Sequence, residues 1–251
     1  MMIENIIGRN DLVNQEVELS LTDKAAFEEK IQKLLLQIPI QYVLEEADFY
    51  GLKFKVNSSV LIPRPETEEL VHLIIKNHKN QSLNILDIGT GSGCIPISLQ
   101  RNLPLAHISA IDISEDALKV AKQNAQLNRV EVSFLKDDAL NLLTSNYPVF
   151  DVIVSNPPYI AISEKSDMEN TVIAYEPHLA LFVSDENPLI FYDRIADFAL
   201  TNLNKQGFLY FEINQALAEE TKILLEQKGF KAQIIKDINN NDRMISAQFL
   251  G

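Results

Sequence analysis

The sequence predicts an α/β fold around a seven-stranded, mostly parallel sheet, and three observations lead to this prediction. Apolar segments typical of strands alternate with segments typical of amphipathic helices from residue 84 onward. Two apolar strands follow each other without a helix at the carboxyl end, which indicates a closing antiparallel pair. A glycine-rich turn directly after the first strand is typical of a ligand-binding loop.

The composition agrees with a globular chain. Of the 251 residues, 46% are hydrophobic and 23% are charged, which suffices for a buried core and excludes wholesale disorder. The net charge is −13, because there are 35 acidic and 22 basic residues. Phosphate backbones repel such a chain, so we expect no broad or direct nucleic-acid binding.

Metal and membrane chemistry are not expected either. The single cysteine, Cys94, excludes an internal disulfide and a cysteine zinc cluster, and the four histidines have no metal-ligand spacing. No apolar run has membrane-spanning length, and the first residues lack a basic and an apolar signal region. We expect a cytoplasmic protein without membrane partners, and a monomer.

The chain divides into three predicted parts. Residues 1–44 form a helical region, in which Thr22-Asp23 cap an amphipathic helix over 24–36. Residues 45–62 have aromatic and apolar positions around a glycine and are predicted as a β-hairpin linker. Residues 63–251 form the α/β domain.

Within that domain, each strand is a short apolar run that ends at a polar or turn residue. The predicted strands are, in chain order, 84–88, 107–111, 130–135, 150–155, 208–213, 231–236 and 244–250. Helices are predicted between them where apolar residues recur at helical spacing after a proline or a capping serine. They cover 66–78, 114–127, 188–203 and 216–228.

The glycine-rich turn is the strongest local signal. It follows an acidic residue at the end of the first strand and opens a helix, so its backbone N–H groups can meet a ligand closely. Asp112 ends the next strand, where a carboxylate can accept hydrogen bonds from a ribose diol. The candidate cofactor-binding residues here are Asp87, Gly89, Thr90, Gly91, Ser92, Gly93 and Asp112.

Two other interpretations of this turn are a dinucleotide-binding site and a sharp turn that binds no ligand. The dinucleotide pattern would need glycine at 94 or 96, but those positions hold Cys94 and Pro96. The G-x-G-x-G spacing after an acidic residue instead resembles the S-adenosylmethionine loop of class I methyltransferases. In such folds a carboxylate after the third strand often reaches the adenine amino group; of Asp137 and Asp138 we favour Asp138.

A second loop, Asn156-Pro157-Pro158-Tyr159, follows the fourth strand. An amide or aminopurine nitrogen is a poor nucleophile because its lone pair is delocalised. The Asn156 side-chain oxygen and a loop carbonyl can accept its two hydrogens and stabilise charge that develops on nitrogen. Tyr159 can pack on the planar group. Asn156, Pro157 and Tyr159 are therefore the candidate catalytic residues, and a plain proline-rich turn is the alternative.

These features together resemble the PrmC/HemK family, glutamine N5-methyltransferases that act on peptide chain release factors. The resemblance runs from about residue 38 to the carboxyl end. Its most specific stretch is LIPRPETE over residues 61–68, followed by DIGTGSG and NPPY; Tyr175-Glu176-Pro177 and Asp242-Arg243 add to it. NPPY alone is shared with adenine methyltransferases.

The resemblance implies a class I, Rossmann-like methyltransferase fold that binds S-adenosylmethionine through residues 89–93 and Asp112. It implies that Asn156 contacts both cofactor and substrate, and that Asn156, Pro157, Pro158 and Tyr159 hold the glutamine of a Gly-Gly-Gln loop. It also implies that the N-terminal helices help to recognise the release factor.

The sequence departs from the family pattern at three places. Only 38 residues precede Pro39, fewer than the family usually has, so we expect a shortened docking region. Glu45 and Asn214 stand where the family usually has glycine, and we expect neither to touch the catalytic motifs. Two rival functions stay open: an adenine N6-methyltransferase acting on DNA or RNA, and a non-catalytic protein that binds S-adenosylmethionine.

Overall fold

A central sheet with helices on both faces organises the computed structural model, which describes residues 20–251. Residues 1–19, which belong to the predicted helical region, lie outside the described residues. The strands are β1 Glu46–Phe49, β2 Leu52–Lys55, β3 Asn84–Ile88, β4 His107–Asp112, β5 Ser133–Lys136, β6 Phe150–Ser155, β7 Ile160–Ala161, β8 Phe182–Val183, β9 Leu203–Glu212, β10 Phe230–Lys236 and β11 Asp242–Phe249.

The helices connect these strands. They are α1 Leu21–Leu35, α2 Ile40–Leu44, α3 Pro65–His78, α4 Cys94–Asn102, α5 Glu115–Asn128, α6 Asn170–Tyr175, α7 Ile190–Asn202 and α8 Ala218–Gln227. No helix in the described part of the chain is long and apolar enough to cross a membrane.

The main sheet has seven strands in the order β10-β11-β9-β6-β3-β4-β5. The five strands from β9 to β5 are parallel, whereas β11 pairs antiparallel with both β9 and β10. The predicted α/β class, the seven strands and the closing antiparallel pair are thus confirmed. Because β3 lies between β6 and β4 inside the sheet, its carboxyl end has neighbours on both sides.

Side chains that alternate along the strands pack into two hydrophobic cores, one on each face of the sheet. In β6, Val152 and Val154 pack toward α3 and α4, whereas Ile153 packs toward α7 and α8. All three are fully buried, as expected for a parallel sheet that helices cover on both faces. This packing fixes the register of β6 and therefore where its following loop begins.

The β1–β2 hairpin falls within the segment 45–62. Phe49 pairs with Leu52 and Phe54 with Ala47, and the rings of Phe49 and Phe54 meet edge to face with centroids 5.9 Å apart. Both are buried in the same core as α3 and α4. The turn residues Tyr50 and Gly51 have φ of 48° and 74°, the left-handed conformation that a tight hairpin turn requires. The hairpin thus packs as part of the α/β domain.

Two local details differ from the expectations. Helix α1 begins earlier, because Ser20 is its cap: the Ser20 hydroxyl accepts from the Asp23 amide at 3.1 Å, and the Asp23 carboxylate accepts from the Ser20 amide at 3.2 Å. Thr22 therefore lies inside the helix. Glu45 ends α2 with φ of 56°, which explains physically why glycine suits this position.

Residues between β6 and α7 form an insertion that the sequence pattern did not predict. It contains the two-residue strands β7 and β8, which pair with each other, and the short helix α6. These elements are too short to show a hydrophobic period. The insertion matters because it begins with the predicted catalytic loop.

Candidate functional site

The two predicted loops leave neighbouring strands at one edge of the sheet. Ile88 ends β3 and Ser155 ends β6, and these residues are paired across the parallel ladder. The Ser155 hydroxyl donates to the Ile88 carbonyl at 2.7 Å. The chain continues from β3 to β4 on one side, while β6 lies on the other, so this is the switch point at which α/β sheets form ligand clefts.

The glycine loop turns sharply and leaves an open cradle. Gly89, Gly91 and Gly93 have φ of 78°, 53° and 81°, which other residues adopt at a cost of about 1–2 kcal/mol. A Cβ atom on Gly89 or Gly91 would meet nothing within 4 Å, whereas one on Gly93 would lie 2.9 Å from the Ile97 side chain. The first two glycines therefore face free space, and the third allows close helix packing.

Asp112 connects this loop to the next helix. One of its carboxylate oxygens accepts from the Gly91 amide at 2.8 Å, and the other accepts from the Ser114 amide at 2.9 Å. Burial raises the pKa of Asp112, and these backbone amides oppose that effect. Each oxygen keeps a second lone pair, so the carboxylate can still accept hydrogen bonds from a diol.

Asp87 is the most unusual group at the edge. Its side chain is fully buried, and neither carboxylate oxygen has a hydrogen-bond partner among the described residues. The Thr90 hydroxyl in the loop is likewise buried without a partner. Burial raises the pKa of Asp87 to about 7; the neighbouring Thr90 hydroxyl opposes this shift and the Asp112 charge adds to it. A buried carboxyl group without a partner is costly, which points to a ligand that supplies the missing donor or charge.

These observations fit S-adenosylmethionine. Asp87 can accept a cationic amino group, the cradle over Gly89 and Gly91 has room for a ligand close to the backbone, and Asp112 offers free lone pairs to a ribose. The acidic pair after β5 lies beside them, since the Asp137 amide donates to the Asp112 carbonyl at 3.2 Å.

The carboxylates of Asp137 and Asp138 both accept hydrogen bonds from the segment that follows β5. The Asp137 carboxylate accepts from the Tyr147 hydroxyl at 2.6 Å. The Asp138 carboxylate accepts from the Leu140 amide at 2.9 Å and from the Asn141 side chain at 2.7 Å. The role of Asp138 toward an adenine therefore stays a prediction.

The Asn156–Tyr159 loop is held by a chain of hydrogen bonds. The Asn156 Nδ2 atom lies 3.2 Å from Thr67 Oγ1, and Thr67 Oγ1 lies 2.6 Å from Glu212 Oε2. The Tyr159 hydroxyl donates to Glu212 Oε1 at 3.2 Å. Pro157 is buried and Pro158 half-buried. The Asn156 Oδ1 atom accepts no hydrogen bond from the described residues.

Glu212, at the end of β9, is the anchor of this chain. Burial raises its pKa, and its bonds to Thr67 and Tyr159 and the nearby charge of Arg243 oppose that effect. Burial and the Glu212 charge raise the pKa of the Tyr159 hydroxyl, which keeps it protonated as a donor. Glu212 was not predicted as a site residue; the available signal was an acidic residue that ends an apolar strand.

Arg64 and Glu176 belong to stretches that carry the family resemblance, but their pairing was not predicted. The Arg64 guanidinium binds the Glu176 carboxylate at 2.6 Å, and the Ile62 amide donates to its other oxygen at 3.1 Å. This pair joins the segment before α3 to the insertion. The expectation that Asn214 touches no catalytic motif is wrong, because its side chain donates to the Tyr159 carbonyl at 3.1 Å.

Cys94 is a buried free cysteine at the start of α4. Burial raises the pKa of the Cys94 thiol to about 12, so it stays protonated and unreactive. Within residues 20–251, no cluster of three histidine, cysteine or acidic side chains could hold a metal ion.

The chain is similar to known proteins over nearly its whole length. A family model, the methyltransferase small domain, matches residues 67–178. A release factor glutamine methyltransferase from Flavobacterium psychrophilum is 49% identical over 97% of this chain and 87% of its own length. Another from Bacteroides thetaiotaomicron is 44% identical over 94% of this chain and 84% of its own length.

Solved structures share the fold at low sequence identity. A methyltransferase from Pyrococcus furiosus aligns with a TM-score of 0.60 and 17% identity, covering 92% of this chain and 98% of its own. A T. thermophilus 16S rRNA methyltransferase in complex with AdoMet and guanosine aligns with a TM-score of 0.58 and 17% identity, covering 81% and 49%. The predicted class I methyltransferase fold is confirmed.

Proposed function

The chain belongs to the release factor glutamine methyltransferases, and from this premise we propose that it methylates the glutamine of the Gly-Gly-Gln loop in a peptide chain release factor. The sulfur–methyl bond of S-adenosylmethionine would break as the methyl carbon bonds to the side-chain amide nitrogen (N5); S-adenosylhomocysteine leaves and the nitrogen loses one of its two protons to water. The modification tunes translation termination. The observation that carries the proposal is the pairing of Ile88 with Ser155. Because these two residues are paired, the cofactor loop and the acceptor loop begin side by side.

The cofactor side consists of residues 87–93, Asp112 and Asp138. Bound S-adenosylmethionine supplies an electrophilic methyl group on a sulfonium centre. Asp87 receives the positive charge of the cofactor, which relieves the cost of a buried carboxylate without partners. Asp112 receives the ribose while it holds the Gly91 amide in place.

The acceptor side consists of Asn156, Pro157, Pro158 and Tyr159. Asn156 Oδ1 accepts one hydrogen of the substrate amide, and a proline-loop carbonyl accepts the other. Two acceptors orient the nitrogen lone pair and stabilise positive charge on nitrogen as the new bond forms. The Tyr159 ring packs on the planar amide, since its hydroxyl is held by Glu212.

An adenine amino group would suit the same acceptors, so the surroundings decide between the substrates. The net charge of −13 opposes binding to a nucleic-acid backbone, and the relatives do not favour the adenine reading. A Gly-Gly-Gln loop can enter a narrow opening, because its glycines carry no side chains.

Labelled S-adenosylmethionine tests this proposal. The protein is incubated with a purified release factor, and the products are mapped by mass spectrometry. We expect one added methyl group on the Gly-Gly-Gln glutamine. Duplex DNA and a free Gly-Gly-Gln peptide are the comparison substrates; we expect no label in DNA and slow labelling of the peptide, because it lacks remote contacts. Label in adenine instead of the release factor would overturn the assignment.

A further inference from the structure

A chain of hydrogen bonds behind the catalytic loop runs from Asn156 through Thr67 to Glu212. Its members come from three elements: the loop after β6, the first turn of α3 and the end of β9. Thr67 is 2% exposed and Glu212 is 2% exposed, so water does not compete for these bonds. Neither residue is free to meet a substrate directly.

The hydrogens in this chain have a defined direction. The Thr67 hydroxyl donates its single hydrogen to Glu212 Oε2 at 2.6 Å, so Glu212 is the acceptor of this bond. Thr67 Oγ1 can then only accept from Asn156. The Asn156 amide must therefore turn its Nδ2 toward Thr67 and its Oδ1 away from it. The Tyr159 hydroxyl donates to the other Glu212 oxygen, Oε1, so Glu212 is the acceptor in both hydrogen bonds.

The direction matters because the two ends of an Asn side chain have the same shape and opposite hydrogen-bond roles. If the Asn156 side-chain amide rotated by 180°, its Nδ2 group would face the substrate amide nitrogen, and both groups would be hydrogen-bond donors. The substrate nitrogen would then lose an acceptor where positive charge develops. Packing alone cannot choose between the two orientations, since they occupy equal volume.

We propose that Thr67 and Glu212 are positioning residues that set the orientation of the Asn156 amide and so keep Oδ1 directed at the acceptor nitrogen. This inference rests on the proposed function, because it concerns the same acceptor site. It assigns a task to two residues that lie 145 positions apart in the sequence.

Thr67→Val tests the proposal, because it removes the hydroxyl and keeps the shape. We expect kcat to fall about tenfold, the loss that corresponds to one hydrogen bond. KM for the release factor and Kd for S-adenosylmethionine, measured by calorimetry, should stay within about twofold. Thr67→Ser should restore most of the lost turnover, because serine also has a hydroxyl.

Thr221→Val is the matched control. Thr221 is also fully buried, and its hydroxyl donates to the Leu217 carbonyl at 2.7 Å in α8, away from the site. Both valine variants lose one buried hydroxyl, so their unfolding free energies show the purely structural cost. We expect wild-type kcat for Thr221→Val.

A double-mutant cycle separates positioning from other effects. If Thr67 acts only through Asn156, Thr67→Val should cost nothing further in an Asn156→Ala background. Glu212→Gln is the second variant: a carboxamide there can donate to Thr67 and release the Thr67 hydrogen toward Asn156 Oδ1, so kcat should fall as well.

The outcomes distinguish this inference from the proposed function. A wild-type protein that does not methylate the release factor contradicts the proposed function itself. A wild-type protein that methylates it, with unchanged kcat in both Thr67→Val and Glu212→Gln, overturns only the positioning role. The same tenfold loss in the Asn156→Ala background also overturns it, because Thr67 would then act independently of Asn156.

Discussion

Asp87 and Glu212 are both buried carboxyl groups at the same edge of the sheet, but their surroundings differ. Asp87 has no hydrogen-bond partner among the described residues. Glu212 accepts from the hydroxyls of Thr67 and Tyr159 and lies near the charge of Arg243. An unpartnered carboxyl group is suited to receive a cation from a ligand, whereas a partnered one organises its neighbours. The difference supports the proposed binding role of Asp87 toward the cofactor and the proposed positioning role of Glu212 on the acceptor side.

The largest effect is expected on the acceptor side. Asn156→Ala removes the acceptor that Thr67 and Glu212 orient, and we expect turnover to fall by roughly 10²–10³. Affinity for S-adenosylmethionine should change much less. Steady-state kinetics and calorimetry measure the two quantities. Asn156→Asp is the finer comparison, because it keeps the acceptor oxygens and adds a charge. Near-normal turnover of Asn156→Ala would contradict the proposed mechanism.

On the cofactor side, Asp112→Ala should weaken binding of S-adenosylmethionine roughly tenfold to a few hundredfold. The variant loses a charged acceptor for the ribose, and such hydrogen bonds contribute about 1.5–3 kcal/mol. It also frees the Gly91 amide. Calorimetry with the ligand-free protein measures the loss. Unchanged affinity would remove Asp112 from the cofactor site.

The unpartnered state of Asp87 predicts a pH dependence of stability. Folded Asp87 has its pKa raised from 3.8 to about 7, so between these values the folded chain holds a proton that the unfolded chain has lost. Its contribution to stability is therefore complete below about pH 4 and is lost as the pH rises through about 7. Asp87→Asn cannot ionise and should be more stable than the wild type by roughly 4 kcal/mol at pH 8, with little difference at pH 4.

Urea unfolding of both ligand-free proteins across this pH range measures that difference. Glu212→Gln sharpens the comparison: the bonds from Thr67 and Tyr159 and the charge of Arg243 oppose the effect of burial on the pKa of Glu212, so its stability gap to the wild type should change less with pH. A stability gap between the wild type and Asp87→Asn that does not change with pH would contradict the unpartnered state of Asp87.

The smallest effect concerns the ligand at Asp87. Asp87→Asn should weaken S-adenosylmethionine about tenfold, because a neutral amide no longer attracts the cationic cofactor. The variant would then be more stable and yet bind less well. Calorimetry at pH 8 gives the affinity. Equal affinity in the two proteins would show that the cofactor does not use this carboxylate.

Much of this arrangement could be predicted from local patterns. The alternation of apolar runs predicted the strand order along the chain, and the glycines and prolines predicted where the two loops begin. Glycine and proline change the allowed conformations of their own backbone, so the turns that they favour can be predicted without knowing which residues they contact. Boundaries were less certain: β9 begins at Leu203, five residues before the predicted start, because helix α7 ends at Asn202 and the strand follows directly.

What the sequence by itself determined is therefore the fold class and the places where the glycine-rich loop and the Asn156–Tyr159 loop begin. Only the tertiary structure decided that Asp87 has no partner, that Asn214 reaches Tyr159, and that Thr67 and Glu212 lie behind Asn156. The physical reason is that partners of a buried polar group are chosen by strand neighbours and helix packing. Glu212 and Thr67 meet because β9 lies beside β6 and α3 packs across them, and no spacing along the chain records that contact.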